Sequence, residues 1–242
     1  APAIAAGNPI VLKPATKTPL SALILADALD KAGLPKGALS VLPMSRQTGD
    51  RLVTDDRYKL LTFTGSSAVG WAMKARAGRK KVLLELGGNA GVIVDETADL
   101  DYAAKRITYG GFALAGQSCI SVQRVFVHAS VFDRFASALC ARVEALKVGN
   151  PLDPATEIGP MIEESEAARV ESWVNEEVRE GARVLPGGRR LGPARPYPGR
   201  TRRLGSGGGG SGLWRGPGGV PSALRPLRLP GGILRRGEPP GP

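Results

Sequence analysis

Cysteine and histidine are nearly absent from this chain: two of the first, Cys119 and Cys140, and one of the second, His128, in 242 residues. Two distant cysteines exclude a disulfide framework and fit a reducing compartment, so the cytoplasm is the expected location. One histidine with two separated thiols excludes a zinc constellation, and no metal site is expected. Aromatic residues make up only 5% of the chain. No apolar run approaches the roughly 18 residues of a membrane span, so no membrane partner is expected. Residues 1–14 carry no basic leader and run directly into a strand, so they are not read as a secretory signal.

What is abundant is apolar residues, at 42%, and positive charge, at a net +11. The charge is unevenly placed. Residues 191–242 hold nine arginines, no lysine and one glutamate, or +8, while residues 1–190 hold 24 basic against 21 acidic residues. The excess therefore does not mark a nucleic-acid-binding body, and no specific nucleic-acid partner is expected. Glycine and proline supply 25 of the last 52 residues. Such a composition cannot bury enough apolar surface to offset chain entropy, and disorder is expected there. Its Arg, Gly, Pro and Ala bias is also what out-of-frame reading of G/C-rich DNA yields, which makes a frameshift product the second reading of this tail.

Ahead of the tail, strands and helices alternate. Ile10-Val11-Leu12 is a short apolar strand. Thr18-Pro19 opens a helix whose face is Leu20, Leu23, Ile24, Ala28 and Leu29, and Gly33 stops it. Strands over 39–42, 59–64 and 82–86 follow, separated by helical segments near 48–53 and 65–76. Beyond Gly88 come a strand at 91–94, a helix over 99–115, a strand at 122–127, a helix over 131–148 and an amphipathic helix over 165–180 capped by Gly181. The alternation predicts an α/β fold: a parallel sheet with covering helices, then a second α/β part and the disordered tail. The expected division is 1–86, 87–190 and 191–242. Ligands of parallel sheets gather at the carboxyl ends of the strands.

Two residues stand out chemically. Glu85 ends an apolar strand directly before Leu86-Gly87-Gly88, and Cys119 closes the small-residue turn Gly116-Gln117-Ser118-Cys119. An acid and a thiol in such places are the minimum for a nucleophile with a general base, although each alone also reads as a strand-end acid or a structural cysteine. Partial burial of Glu85 is expected, to suit it to activating water. Phe63-Thr64-Gly65-Ser66 lies where a strand turns into a helix, a place for an anion. Cys140 reads as helix packing and His128 as structural. Arg124 reads as a strand-edge ion pair, with contact to a substrate acid as the alternative.

Leu84-Glu85-Leu86-Gly87-Gly88, followed 34 positions after Glu85 by Cys119, together with Phe63-Thr64-Gly65-Ser66, resembles the aldehyde dehydrogenase superfamily. The resemblance covers residues 1–190 and implies a Rossmann-like cofactor part followed by a catalytic part. It implies that Cys119 attacks an aldehyde through a thiohemiacetal and thioester, that its backbone N–H is an oxyanion donor, and that Glu85 directs the releasing water. It implies NADP or NAD as cofactor, held by Lys13, Ala15, Thr16, Gly49, Gly65, Ser66, Val69, Leu86 and Gly87. Thr16 and Lys17 stand where many NAD-preferring members carry an acid, which favours NADP or dual use. The family's side-chain oxyanion asparagine, its nicotinamide-ribose motif and its oligomerisation arm have no match here. Complete members are homo-oligomers. A second reading is therefore a nucleotide-binding remnant without turnover.

Overall fold

A computed structural model describes residues 1–180, 182–185, 214–215 and 224–228. The chain divides after Leu86 into two units.

The first unit opens with a four-residue helix, α1 (Pro2–Ala5), which the sequence reading omits. Strand β1 (Ile10–Leu12) pairs in parallel with β2 (Leu39–Val41) across helix α2 (Leu20–Lys31). Helix α3 (Arg46–Thr54) begins at Ser45, whose hydroxyl accepts the Thr48 N–H at 3.0 Å. Strand β3 (Leu60–Thr64) pairs in parallel with β4 (Lys81–Glu85) across helix α4 (Ser67–Arg76). The parallel pairing follows from the intervening helices, because a hairpin turn cannot join strands that run the same way. The apolar face of α2 does not pack as its periodicity suggests. Leu20 and Ile24 are 70% and 69% exposed, and α2 buries no residue fully. Periodicity marks an apolar stripe but says nothing about whether a partner covers it.

In the second unit β5 (Ala90–Val94) pairs in parallel with β6 (Val122–His128), and α5 (Leu100–Phe112) and α6 (Phe132–Glu144) contribute with them to one core. Along β6 alternate residues are buried, with Gln123, Val125 and Val127 on the inner side. Val125 and Val127 join a core built from Ile107 and Phe112 of α5 and Phe132, Phe135 and Leu139 of α6. Asp99 starts α5, its carboxylate accepting the Tyr102 N–H at 3.0 Å. Helix α7 (Glu164–Arg179) follows a loop pinned by the Val148–Ile158 bridge, and β7 (Arg183–Val184) comes after it. Gly181 lies outside the described residues, and Glu180 stands at the helix end.

Two short strands, β8 (Trp214–Arg215) and β9 (Leu224–Arg228), complete a sheet of order β5-β6-β9-β8-β7, with β9 antiparallel to β6. These backbone pairings qualify the expectation of disorder over 191–242. The rest of that stretch lies outside the described residues. Among the described residues, no helix is long and apolar enough to cross a membrane, and no cluster of three metal-ligating side chains exists.

The helix expected over 99–115 stops at Phe112. Leu114, Ala115 and Gly116 then take positive φ values of 54°, 56° and 73°. Two consecutive non-glycine residues in the left-handed region cost about 1–2 kcal/mol each. Leu114 is 74% exposed, so packing does not repay its strain. Leu114→Asn, which tolerates this conformation, is expected to stabilise the chain by about 0.5–1 kcal/mol in urea unfolding. An unchanged or lower midpoint would show that the turn is not strained.

Candidate active site

In the first unit the residues after β1, β3 and β4 carry the candidate groups. Lys13 follows β1 and is half-buried. Its Nζ donates to the Pro14 carbonyl at 3.1 Å and to Thr16 Oγ1 at 3.4 Å. Its stem crosses Gly49, where an added Cβ would lie 2.6 Å from Lys13 Cδ. Lys13, Thr16 and Gly49 thus come together through the absence of a side chain at 49. Ala15 is exposed beside them.

Gly65 donates its N–H to the Glu85 carbonyl at 3.0 Å, fastening the end of β3 to the end of β4. Ser66 takes the N-cap position of α4, and its hydroxyl makes no capping bond. In an α-helix the first N–H groups have no internal acceptor. Gly70 is the first residue of α4 to reach back, to the Ser66 carbonyl at 2.9 Å. Ser66 and Val69 are exposed at this end. Leu86 packs on the same helix, since a Cβ at Gly70 would lie 2.6 Å from Leu86 Cδ2. Free amides with a positive helix end favour a phosphate group, and a lysine at the end of β1 suits ribose hydroxyls. These residues fit a dinucleotide.

Glu85 is exposed, not half-buried as expected, because it points to the open side of the β3–β4 pair, with Leu83 and Lys81. Its carboxylate has no hydrogen-bond partner among the described residues.

The second unit holds Gly87 and Cys119. An added Cβ at Gly87 meets nothing within 4 Å, whereas at Gly88 it would lie 2.2 Å from the Cys119 carbonyl oxygen. The second glycine of the pair is therefore the one on which the cysteine's backbone rests, whereas the motif alone gives a role only to Gly87. Cys119 is exposed, and among the described residues its N–H has no acceptor. The left-handed turn at 114–116 leads into it, and the Ser121 N–H closes the next turn on the Ser118 carbonyl at 3.1 Å. Gln117 holds this region at both ends of its amide. Its Nε2 donates to the Leu114 carbonyl at 3.0 Å, and its Oε1 accepts the Ile162 N–H at 2.9 Å.

The remaining candidates take structural places. Cys140 lies half-buried against the core, and burial, with Glu144 nearby, pushes its thiol pKa up. His128 Nδ1 lies 2.7 Å from the Ser130 hydroxyl and 3.6 Å from the Glu96 carboxylate. The ion pair expected for Arg124 is not found among the described residues. Its guanidinium donates to the Asn89 carbonyl at 3.1 Å and lies over the Phe126 ring.

Fold and site together define an α/β protein of parallel βα units that presents an accessible thiol on a strained turn. The aldehyde dehydrogenase family model matches residues 1–199. The chain belongs to the aldehyde dehydrogenase family. It is 50% identical over 192 residues to 3-sulfolactaldehyde dehydrogenase of Priestia aryabhattai, covering 79% of this chain and 40% of that one. It is 41% identical over 192 residues to the mitochondrial succinate-semialdehyde dehydrogenase of Oryza sativa subsp. japonica, covering 78% and 36%. Among solved structures it matches aldehyde dehydrogenase 21 of Physcomitrella patens, in complex with the reaction product succinate. That match has a TM-score of 0.75 and 54% identity, over 78% of this chain and 40% of that one. The glyceraldehyde-3-phosphate dehydrogenase GapN of Methanocaldococcus jannaschii, complexed with NADP, gives 0.75 and 41%, over 78% and 43%. The chain thus spans about 40% of the length of these relatives.

Proposed function

We propose that this chain carries the thiol and the base of an NAD(P)-dependent aldehyde oxidation. The observation that carries the reading is the presentation of Cys119, an exposed thiol whose backbone N–H has no acceptor among the described residues, on a turn wedged against Gly88. The Cys119 sulfur bonds to the aldehyde carbon, and its N–H faces the oxygen that becomes negative, giving a thiohemiacetal. A bound nicotinamide dinucleotide supplies the acceptor for the hydride that leaves this carbon as a thioester forms. Glu85 takes a proton from water, the resulting hydroxide adds to the thioester carbon, and the carbon–sulfur bond breaks to release a carboxylate and the Cys119 thiolate.

Lys13, Ala15, Thr16, Gly49, Gly65, Ser66 and Val69 would hold the dinucleotide, with Leu86 and Gly87 at the end of β4. The neutral Thr16 bound to Lys13, and the NADP carried by the GapN relative, favour NADP with NAD tolerated. The named relatives act on 3-sulfolactaldehyde and succinate semialdehyde, which supports a short aldehyde with an anionic far end. A cytoplasmic setting suits a thiol that must stay reduced. The homo-oligomer of complete family members would be formed with segments that this chain does not match.

The test is aldehyde-dependent formation of NADPH or NADH by the purified chain, with succinate semialdehyde against propanal. Turnover preferring the anionic aldehyde is expected. Thermal stabilisation by NADP without turnover favours the second reading, a nucleotide-binding remnant. Gly49→Ala is expected to weaken NADP binding roughly tenfold by displacing Lys13, with little change in stability, since a flexible stem gives way. Calorimetric titration checks this, and unchanged affinity would remove Lys13 from the site.

A further inference from the structure

Three features crowd the approach to Cys119. Residues 114–116 are all left-handed, two of them without being glycine. The Leu114 carbonyl receives two donors from one residue, the Gln117 backbone N–H at 3.1 Å and the Gln117 Nε2 at 3.0 Å. The other end of that amide accepts the Ile162 N–H at 2.9 Å, across 45 residues of sequence. Strained backbone persists only where its surroundings over-determine it. Here the three bonds of Gln117 supply that determination: two close the turn on itself, and the third ties it to the segment leading into α7. On the opposite side the Cys119 carbonyl rests on Gly88.

We propose that Gln117 is a positioning residue that clasps the left-handed turn to the Ile162 backbone and thereby fixes the direction of the Cys119 N–H. Its amide does not meet the reacting atoms. It acts by preventing the strained turn from relaxing toward ordinary backbone angles, which would rotate the peptide that Cys119 donates from. The inference rests on the reading of Cys119 as nucleophile and its N–H as oxyanion donor.

Two reactions of the same thiol separate positioning from exposure. Alkylation by iodoacetamide displaces iodide from carbon and develops no oxyanion, so it reports thiol access. Acylation by p-nitrophenyl acetate forms a carbon–sulfur bond, passes through an oxyanion and expels p-nitrophenolate, so it also reports the oriented N–H. With Cys119→Ser as the blank, Gln117→Ala is expected to lower acylation roughly tenfold or more, while alkylation changes less than about twofold. Exchange of the Ile162 amide with deuterated solvent should rise roughly fivefold, the factor for losing one neutral hydrogen bond. Gln117→Glu keeps an acceptor for Ile162 but loses the donor to the Leu114 carbonyl, so Ile162 protection should stay within about threefold of the parent while acylation falls as it does in Gln117→Ala. Parallel loss of acylation and alkylation, or no loss of either, overturns the proposal. So does an Ile162 amide indifferent to Gln117→Ala in a chain that keeps its circular dichroism. If the parent chain itself shows no acylation above the Cys119→Ser blank, the nucleophile reading fails, and Ile162 exchange still decides whether the clasp exists.

Discussion

Alanine at position 88 is expected to unseat the Cys119 turn. The new Cβ would lie 2.2 Å from the Cys119 carbonyl oxygen, far inside contact distance, and the obstacle is backbone, not a side chain that can swing away. Either the start of β5 or the cysteine turn must move. The turn is the softer of the two, because it already holds left-handed residues at 114 and 115. Overpacking of this kind costs about 2–3 kcal/mol, visible as a lowered urea midpoint. Acylation of the thiol should fall with it. Gly87→Ala is the paired control, since nothing lies within 4 Å of its added Cβ, and its stability should stay within about 0.5–1 kcal/mol of the parent. Equal effects at the two positions would mean that the second glycine does not support the cysteine.

Cys119→Ser is expected to lower any aldehyde turnover of the chain by at least about a thousandfold while leaving its unfolding curve in place. A serine hydroxyl stays protonated near neutrality and is a far weaker nucleophile than a thiolate. The side chain is exposed, so its loss removes little packing. Cys140→Ser should behave inversely. That thiol is half-buried against the core of α5, α6 and β6, so the hydroxyl costs stability and leaves chemistry unchanged. If Cys140→Ser removed turnover and Cys119→Ser spared it, the roles would have to be exchanged.

Much of the architecture is legible in the chain because local chemistry dictates it. Asp99 caps its helix, and the apolar strands separated by helices pair in parallel. Cys119, Glu85, Gly65 and Ser66 were legible as motif members; the last three stand at element ends, and Cys119 lies in the turn before β6. The remainder depends on partners that sequence does not announce. Phe112 through Ala115 reads as a continuing helix because small apolar residues suit one, yet the chain turns left-handed at Leu114 and Ala115. The acceptor role of Gln117 depends on a main-chain N–H at Ile162, and every residue but proline has one. The apolar stripe of α2 and the side on which Glu85 falls depend on what packs against them, and periodicity carries no such information.

The most direct measurement of the central claim is peptide mapping after incubation with succinate semialdehyde and NADP, quenched in acid. Glu85→Gln slows release without affecting attack, so a succinyl thioester should accumulate on the Cys119 peptide of that variant and be missing from Cys119→Ser. An adduct on Cys140, or no adduct on Cys119 when Glu85 is replaced, would contradict the assignment of thiol and base.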